Sequence, residues 1–420
     1  MSALPVGWVQ TTLGDIAAWG SGGTPTSTEP SYYNGNIPWS VTGDLNDYLV
    51  TQCSMGITPL GLNKSSAKLV NPGTILIAMY GASIGKLGIA AIPMATNQAI
   101  AFAVPNENRV LPRFLFWYLR SQRSSFIAAG KGAAQPNISQ TVLKAWPIYL
   151  PSLAEQERVV EAIEVEFSRL DAAELTLRRI DSKLKAFKAS AIASSLAGDW
   201  ETIELGSIIT SLKNGIFISR PSANPPGVPI LRISAVRPMQ LDLTEIRYAQ
   251  ISDQDASDYI ITSGDLLFTR YSGNASYVGS CAVVPEGIST IIYPDKLIRV
   301  IVDRQKAVPS FVSLFINNGA GRKSINERLK TTAGQIGISG SQLKTVPIAL
   351  PSIDEQNDIL ERLSESLSPC GAIIKSVQDS IRRSAQLRQA VLSAAFSGKY
   401  SRSNLNYLAS EAVSIGARPL

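Results

Sequence analysis

Trp146-Pro-Ile-Tyr-Leu-Pro-Ser-Leu-Ala-Glu-Gln156 returns 200 residues later as Val346-Pro-Ile-Ala-Leu-Pro-Ser-Ile-Asp-Glu-Gln356, and this pair of stretches decides how the chain is built. Each contains a helix start. Ser152-Leu-Ala-Glu155 and Ser352-Ile-Asp-Glu355 have the spacing of a capping box, in which hydroxyl and carboxylate reciprocally satisfy free amides. Pro151 and Pro351 stand just before, and Gly198 and Gly398 are placed to take the left-handed conformation that ends a helix. Two helices are therefore expected, over residues 152–198 and 352–398. Each is about 45 residues, or roughly 65 Å, long.

Apolar residues recur along them at steps of three and four, as in a helix packed along another helix. The first has Val160, Ile163, Phe167, Leu170, Ala173, Leu177, Ile180, Leu184, Phe187 and Ala191; the second has Leu363, Leu367, Cys370, Ile374, Val377 and Ile381. Charge gives the direction. Ser152 to Glu174 carries seven acids and two bases, and Leu175 to Gly198 one acid and five bases; the second helix repeats the polarity. Antiparallel packing sets acidic halves beside basic halves and opposes the helix dipoles. Polarity that merely complements each helix's own dipole would give the same counts, but two matched apolar seams still need burying.

Outward from these helices the repeat continues. Trp8 to Ile16 returns as Trp200 to Ile208 at an offset of 192, and Pro72-Gly73-Thr-Ile-Leu-Ile as Ser263-Gly264-Asp-Leu-Leu-Phe at 191. Pro112-Arg-Phe114 matches Pro309-Ser-Phe311, and Ile138-Ser139 matches Ile338-Ser339. Ahead of each long helix lie roughly 150 residues of mixed pattern. Thr74 to Met79, Ala99 to Val104, Leu266 to Thr269 and Leu297 to Val302 read as strands. Pro112 and Pro309 suit the first position of helices through Phe114 to Leu119 and Phe311 to Ile316. The expected class is α+β: two α/β globules separated by a pair of long antiparallel coiled-coil helices, with pseudo-two-fold internal repeat.

Composition narrows the chemistry. The chain has 420 residues, 45% apolar and 17% charged, which supports several folded domains. It has no histidine, which removes imidazole acid–base catalysis, His-dependent triads and His-bearing metal sites. Cys53, Cys281 and Cys370 are too dispersed for a zinc cluster or a disulfide framework. No signal peptide is visible, and Leu87 to Pro105, broken by Pro93, Asn97 and Gln98, reads as buried sheet rather than a membrane span. A cytoplasmic location is expected. The net charge of +6 suits a polyanion without requiring one. Two similar globules held by an antiparallel helix pair would form a ruler for a bipartite target. Duplex DNA is the candidate, read at major-groove patches about one turn, roughly 34 Å, apart. Lengthening the helix by a turn between Arg178 and Ala191 would then widen the gap between the two parts of the target.

The combination of motifs resembles the specificity subunit of Type I restriction-modification systems over nearly the whole chain. The resembling segments are Gly7 to Ile16, Gly22-Gly-Thr-Pro25, Ala133 to Ser139, Ile148 to Gln156 with its second copy, Gly264 to Tyr271 and Tyr293 to Arg299. The resemblance implies target-recognition domains at 1–151 and 199–351, each binding half of a split double-stranded DNA site. It implies conserved spacer helices at 152–198 and 352–398 that dock two methyltransferase subunits. Restriction subunits would join the full complex, with S-adenosylmethionine, ATP and Mg on those partners and no catalysis, cofactor or metal in this chain. Residues 399–420 are expected to be a flexible tail.

Two fragments look like enzyme motifs and fail on inspection. Asn224-Pro-Pro-Gly227 has glycine where an adenine methyltransferase stacks an aromatic ring, and reads as a turn. Gly81-Ala-Ser-Ile-Gly85-Lys86-Leu87 is one residue short of a phosphate loop and ends in Leu where Ser or Thr must hold magnesium. It reads as a glycine-rich turn beside DNA. Bases are read by Arg, Lys, Asn and Gln, whereas phosphates accept many donors. Loop positions rich in such residues give the DNA-binding candidates: Thr24, Thr42, Tyr80, Ser83, Lys86, Asn97 and Gln98 in the first globule, and Lys213, Asn214, Arg232, Arg270, Tyr271, Asn274, Lys296 and Arg299 in the second. A solitary methyltransferase and a coiled-coil adaptor without DNA specificity are the competing readings. The first lacks a cofactor loop, and the second leaves two diverged globules unexplained.

Overall fold

The computed structural model describes residues 7–130, 136–288, 290–332 and 335–397. The expectations for residues 133–135, for Gly398 and for the tail lie outside these. Two compact units emerge, Met1–Arg179 with Val377–Leu420, and Ile180–Ser376, so the boundary falls inside both long helices.

In the first unit a five-stranded sheet runs in the order Ala17–Ser21, Ile100–Pro105, Ile75–Ala78, Leu87–Ala90, Leu49–Val50, antiparallel except at the last pair. Alternate side chains of Ile75–Ala78 leave by opposite faces. Ile75 and Ile77 join a core with the helix Pro112–Ser121, and Leu76 and Ala78 join a second cluster with Val50, Ala90 and Met94. A four-stranded sheet, Met55–Ile57, Tyr33–Ser40, Met94–Thr96, Leu69–Val70, lies beyond. Leu87 to Pro105, the long uncharged run, is thus sheet. Among the described residues no helix is long and apolar enough to cross a membrane.

The second unit repeats the plan. Its four antiparallel strands run Ile209–Asn214, Leu297–Val302, Leu266–Thr269, Cys281–Val283, with the helix Pro309–Asn317 on one face. Leu266 and Phe268 face that helix, while Leu267 faces a cluster with Leu231 and Tyr293. The equivalence extends to single hydrogen bonds. Leu13 N donates to Trp146 O at 3.0 Å and Leu205 N to Val346 O at 2.8 Å; Met79 N donates to Ala99 O at 2.9 Å and Arg270 N to Lys296 O at 2.8 Å.

The long helices run Leu153–Ser195 and Ile353–Phe396. Ser152 and Ser352 accept the amides of Glu155 and Glu355 at 3.4 and 3.3 Å. The carboxylates expected to complete these caps are engaged elsewhere: Glu155 pairs with Arg158, and Glu355 accepts the Trp200 indole N–H at 3.0 Å. Gly198 lies beyond the helix end and is not left-handed. A Cβ there would fall 2.1 Å from the Trp200 indole, so its smallness admits the ring that packs against Phe311.

In the first unit the early part of the first helix lies against the late part of the second: Arg388 pairs with Asp171 at 2.6 Å and Glu174 at 3.4 Å, over the ring of Phe167. In the second unit Ile192, late in the first helix, shares a core with Ile359 and Leu363, early in the second. The helices are antiparallel, and at Arg388 a base from the basic half meets the acidic half. The seam of the first helix is corrected in its middle. Ala173, Ile180 and Phe187 are exposed; Leu177 and Leu184 of the expected seam are half-buried, and their line is continued by half-buried Glu174 and Asp181, each one residue on from Ala173 and Ile180. Ion pairs of Glu174 with Arg178 and Arg388, and of Asp181 with Lys185, make carboxylates tolerable on that line.

Candidate nucleic-acid interface

In the first unit the turns flanking the central strands are stitched into one surface. Gly22 N donates to Ile100 O and Gly23 N to Thr96 O, at 3.2 and 2.9 Å. A Cβ at Gly22 would lie 1.9 Å from the Thr96 carbonyl, so only glycine permits this approach. The contact brings Thr24 to Gln98, whose side-chain carbonyl accepts the threonine hydroxyl. Asn97 N donates to Ser40 O at 3.0 Å, which places Asn97 beside the turn bearing Thr42. The Met79–Ala99 bond brings Tyr80, 45% exposed, to the same edge.

The turn after Tyr80 is a 3-10 segment, Gly81–Ser83, between two left-handed glycines, Gly81 and Gly85, and leads into a strand rather than an α-helix. That is a turn and not a phosphate loop. Arg123 holds it from beneath by donating Nε to Gly85 O at 2.8 Å and pairing with Asp47. Burial raises the Asp47 carboxyl, but the Arg123 guanidinium and the Leu87 amide outweigh it and leave the group below its ordinary range. Ser83 and Lys86 sit half-buried on this braced turn.

In the second unit Gly215 repeats the part of Gly22: its amide donates to Leu297 O at 3.1 Å, and a Cβ would lie 2.1 Å from Pro294 O. Asn214 stands exposed beside it. Arg270 and Lys296 are joined through the backbone, and the Arg270 guanidinium lies 4.8 Å from the centre of the Tyr271 ring. Asn274 caps the short turn that follows by accepting the Ser276 amide at 3.0 Å. Lys213 belongs to this edge but is committed to Asp258 at 2.8 Å, whose carboxyl it lowers.

Two candidates stand apart. Arg232 pairs with Glu245 at 2.7 Å, and Arg299 pairs within the sheet with Asp265, only 5% exposed, at 2.6 Å. Asn224 to Gly227 is a turn in which Ser222 and Asn224 bond each other, as read from the sequence. Three further residues lie at the loop edges without a signal in the local sequence. Exposed Asn137 bridges Tyr80, Phe217 is 72% exposed two residues past Gly215, and exposed Arg220 has φ +56°. Among the described residues no cluster of Cys, Asp and Glu could hold a metal ion.

Comparison with known proteins points the same way. A family profile described as "Type I restriction modification DNA specificity domain" matches twice, over residues 5–178 and 197–383. The chain is 28% identical over 419 residues to the Type I restriction enzyme EcoKI specificity subunit of Escherichia coli (strain K12), and 24% identical over 417 to the StySPI specificity subunit of Salmonella potsdam. Each alignment covers 94% of this chain and 90% of the relative. A solved structure described as the "structural basis underlying complex assembly and conformational transition of the type I R-M system" superposes with a TM-score of 0.73 at 17% identity, covering 94% of this chain and 99% of that one. The HsdS subunit from Thermoanaerobacter tengcongensis matches at 0.52 and 18%, covering 95% and 99%.

Proposed function

The chain belongs to the Type I restriction-modification DNA specificity family, and we propose on that premise that it is the sequence-reading subunit of such a complex, each unit binding one half of a bipartite double-stranded site. The observation that carries this is the matched loop edge. Both units close the same strands with the same glycine contact, at Gly22 and Gly215, and mount different polar residues on the result. A shared frame with exchanged side chains is what reading two unlike half-sites requires.

In this reading the long helices dock two methyltransferase subunits, with restriction subunits completing the assembly. S-adenosylmethionine, ATP and Mg belong to those partners, and this chain contributes no catalytic group. The complex works in the cytoplasm. Of the fifteen candidates, Lys213, Arg232 and Arg299 are the least suited to DNA, because carboxylates already hold them.

The test is base-resolution methylation sequencing of a host that expresses this chain with its methyltransferase partner. A two-part motif with an unspecified gap is expected. Methylation by the purified chain alone would favour a solitary enzyme, and methylation without sequence preference would favour an adaptor.

A further inference from the structure

We infer that Arg270 reads a guanine in the half-site of the second unit, a role without counterpart in the first; the inference rests on the reading of each unit as half of a DNA reader. Arg270 follows the strand Leu266–Thr269, and its backbone is fixed on both sides. Its amide donates to Lys296 O at 2.8 Å, and its carbonyl accepts the Ile338 amide at 2.9 Å. The side chain is oriented as well. Its guanidinium lies over Tyr271, which is itself seated on its strand partner Gly337, where a Cβ would fall 2.3 Å from the ring. A planar fork held this way loses little freedom on meeting a ligand.

The fork is also unspent. Nη1 reaches the Asp295 carbonyl only at 3.4 Å, and Nε is buried without a partner. Among the described residues no carboxylate pairs with Arg270, whereas Lys213, Arg232 and Arg299 each have one. A guanidinium keeps its charge and five donors, so unfilled donors favour a ligand with two coplanar acceptors. The major-groove edge of guanine presents O6 and N7 in that arrangement.

A phosphate could also accept two such bonds, and the comparison of the units decides against it. The residue 191 positions earlier is Met79, buried, with the same two backbone bonds: Met79 N to Ala99 O and Ile138 N to Met79 O, both at 2.9 Å. Tyr80 follows Met79 as Tyr271 follows Arg270. The frame is kept and the side chain exchanged from apolar to cationic. A phosphate anchor is needed by both units alike; a reader of one base is needed by one.

The experiment uses the full chain in complex with its methyltransferase partner, comparing wild type, R270A and R270Q by base-resolution methylation sequencing. Wild type is expected to require a guanine in one half-site. R270A should lower methylation of cognate sites about ten- to a hundredfold and make the four bases nearly equivalent at that position. R270Q should shift preference there toward adenine, and the other half-site should stay unchanged in both. An unchanged motif, or equal weakening at all sequences, would overturn the inference. Thermal melts establish that the variants fold; if R270A does not assemble, a guanine requirement retained by R270Q overturns the inference and its loss supports it. A two-part motif without guanine in either half would sink this inference alone, whereas no two-part motif in wild type would sink the proposed function too.

Discussion

Gln156 and Gln356, 200 residues apart, make the same three hydrogen bonds, and both side chains are fully buried. Gln156 Oε1 accepts Leu111 N at 2.9 Å and Gln356 Oε1 accepts Val308 N at 2.7 Å. Gln156 Nε2 donates to Arg109 O and Pro151 O, and Gln356 Nε2 to Lys306 O and Pro351 O. Each glutamine ties the first turn of a long helix to the segment entering the helix that begins at Pro112 or Pro309. Q156L and Q356L should each cost about 2–4 kcal/mol, because buried backbone groups lose partners with no water to replace them. Calorimetric unfolding of the single variants should show similar losses, and the effects of the two should add.

The glycine contacts predict a local failure. G22A and G215A place a methyl within 1.9 and 2.1 Å of a backbone carbonyl, which has no flexible end to swing away. Each should destabilise its loop edge by on the order of 3 kcal/mol and abolish recognition of one half-site. G43A, with nothing within 4 Å, is the matched control and should behave as wild type. Hydrogen exchange at the amides of residues 22 and 215 reports the opening directly.

Asp47 carries a pH dependence. Its carboxyl titrates below the ordinary 3.8, so its stabilisation is fully present above that value and is lost as pH falls through the folded-state pKa. D47N keeps a side chain that tolerates the observed φ of +64°, removes the charge and replaces one of the two oxygens that accept from Arg123 with a donor. It should lose about 1–3 kcal/mol at pH 7. The gap from wild type should close as pH falls below 3.8, measured by urea unfolding at each pH.

Arg299 should affect stability rather than specificity. Its partner Asp265 also accepts the Thr262 amide at 2.7 Å, so R299A leaves a buried carboxylate without its counter-ion. A loss of about 3–5 kcal/mol is expected, with the methylation motif unchanged wherever the protein remains folded. A changed base in the motif would return Arg299 to the reading surface.

Phe396 packs edge-on against Phe114 and Tyr118, with ring centres 5.2 and 5.4 Å apart. F396A should cost about 3–5 kcal/mol by leaving a cavity between its own helix and the helix Pro112–Ser121. Calorimetry should place the loss in the transition of the first unit, leaving that of the second in place.

The frame was legible because buried apolar runs and helix caps write themselves locally. Leu266–Thr269 and Leu297–Val302 emerge with the bounds read from the sequence, and the antiparallel sense of the two long helices follows from period and charge. The site was legible only in part. Arg232 and Arg299 look like Arg270 in composition, and what separates them is a carboxylate 13 or 34 residues away that no local pattern links to them. Phe217 carries no hydrogen-bonding group, so its residue type alone does not mark it for a base-reading edge; only its 72% exposure beside Gly215 does. The middle of the first seam departs from its apolar period because ion pairs let Glu174 and Asp181 replace apolar residues.

The first unit is interrupted in sequence, its last piece beginning at Val377, while Ile180–Ser376 forms the second without interruption. During synthesis the nascent first globule therefore waits, with Phe114 and Tyr118 uncovered, while roughly 200 further residues are translated, some 10–40 s at bacterial and eukaryotic rates of 5–20 residues per second. The second unit can mature as it leaves the ribosome; the first is vulnerable to aggregation and proteolysis until the final turns of its closing helix arrive.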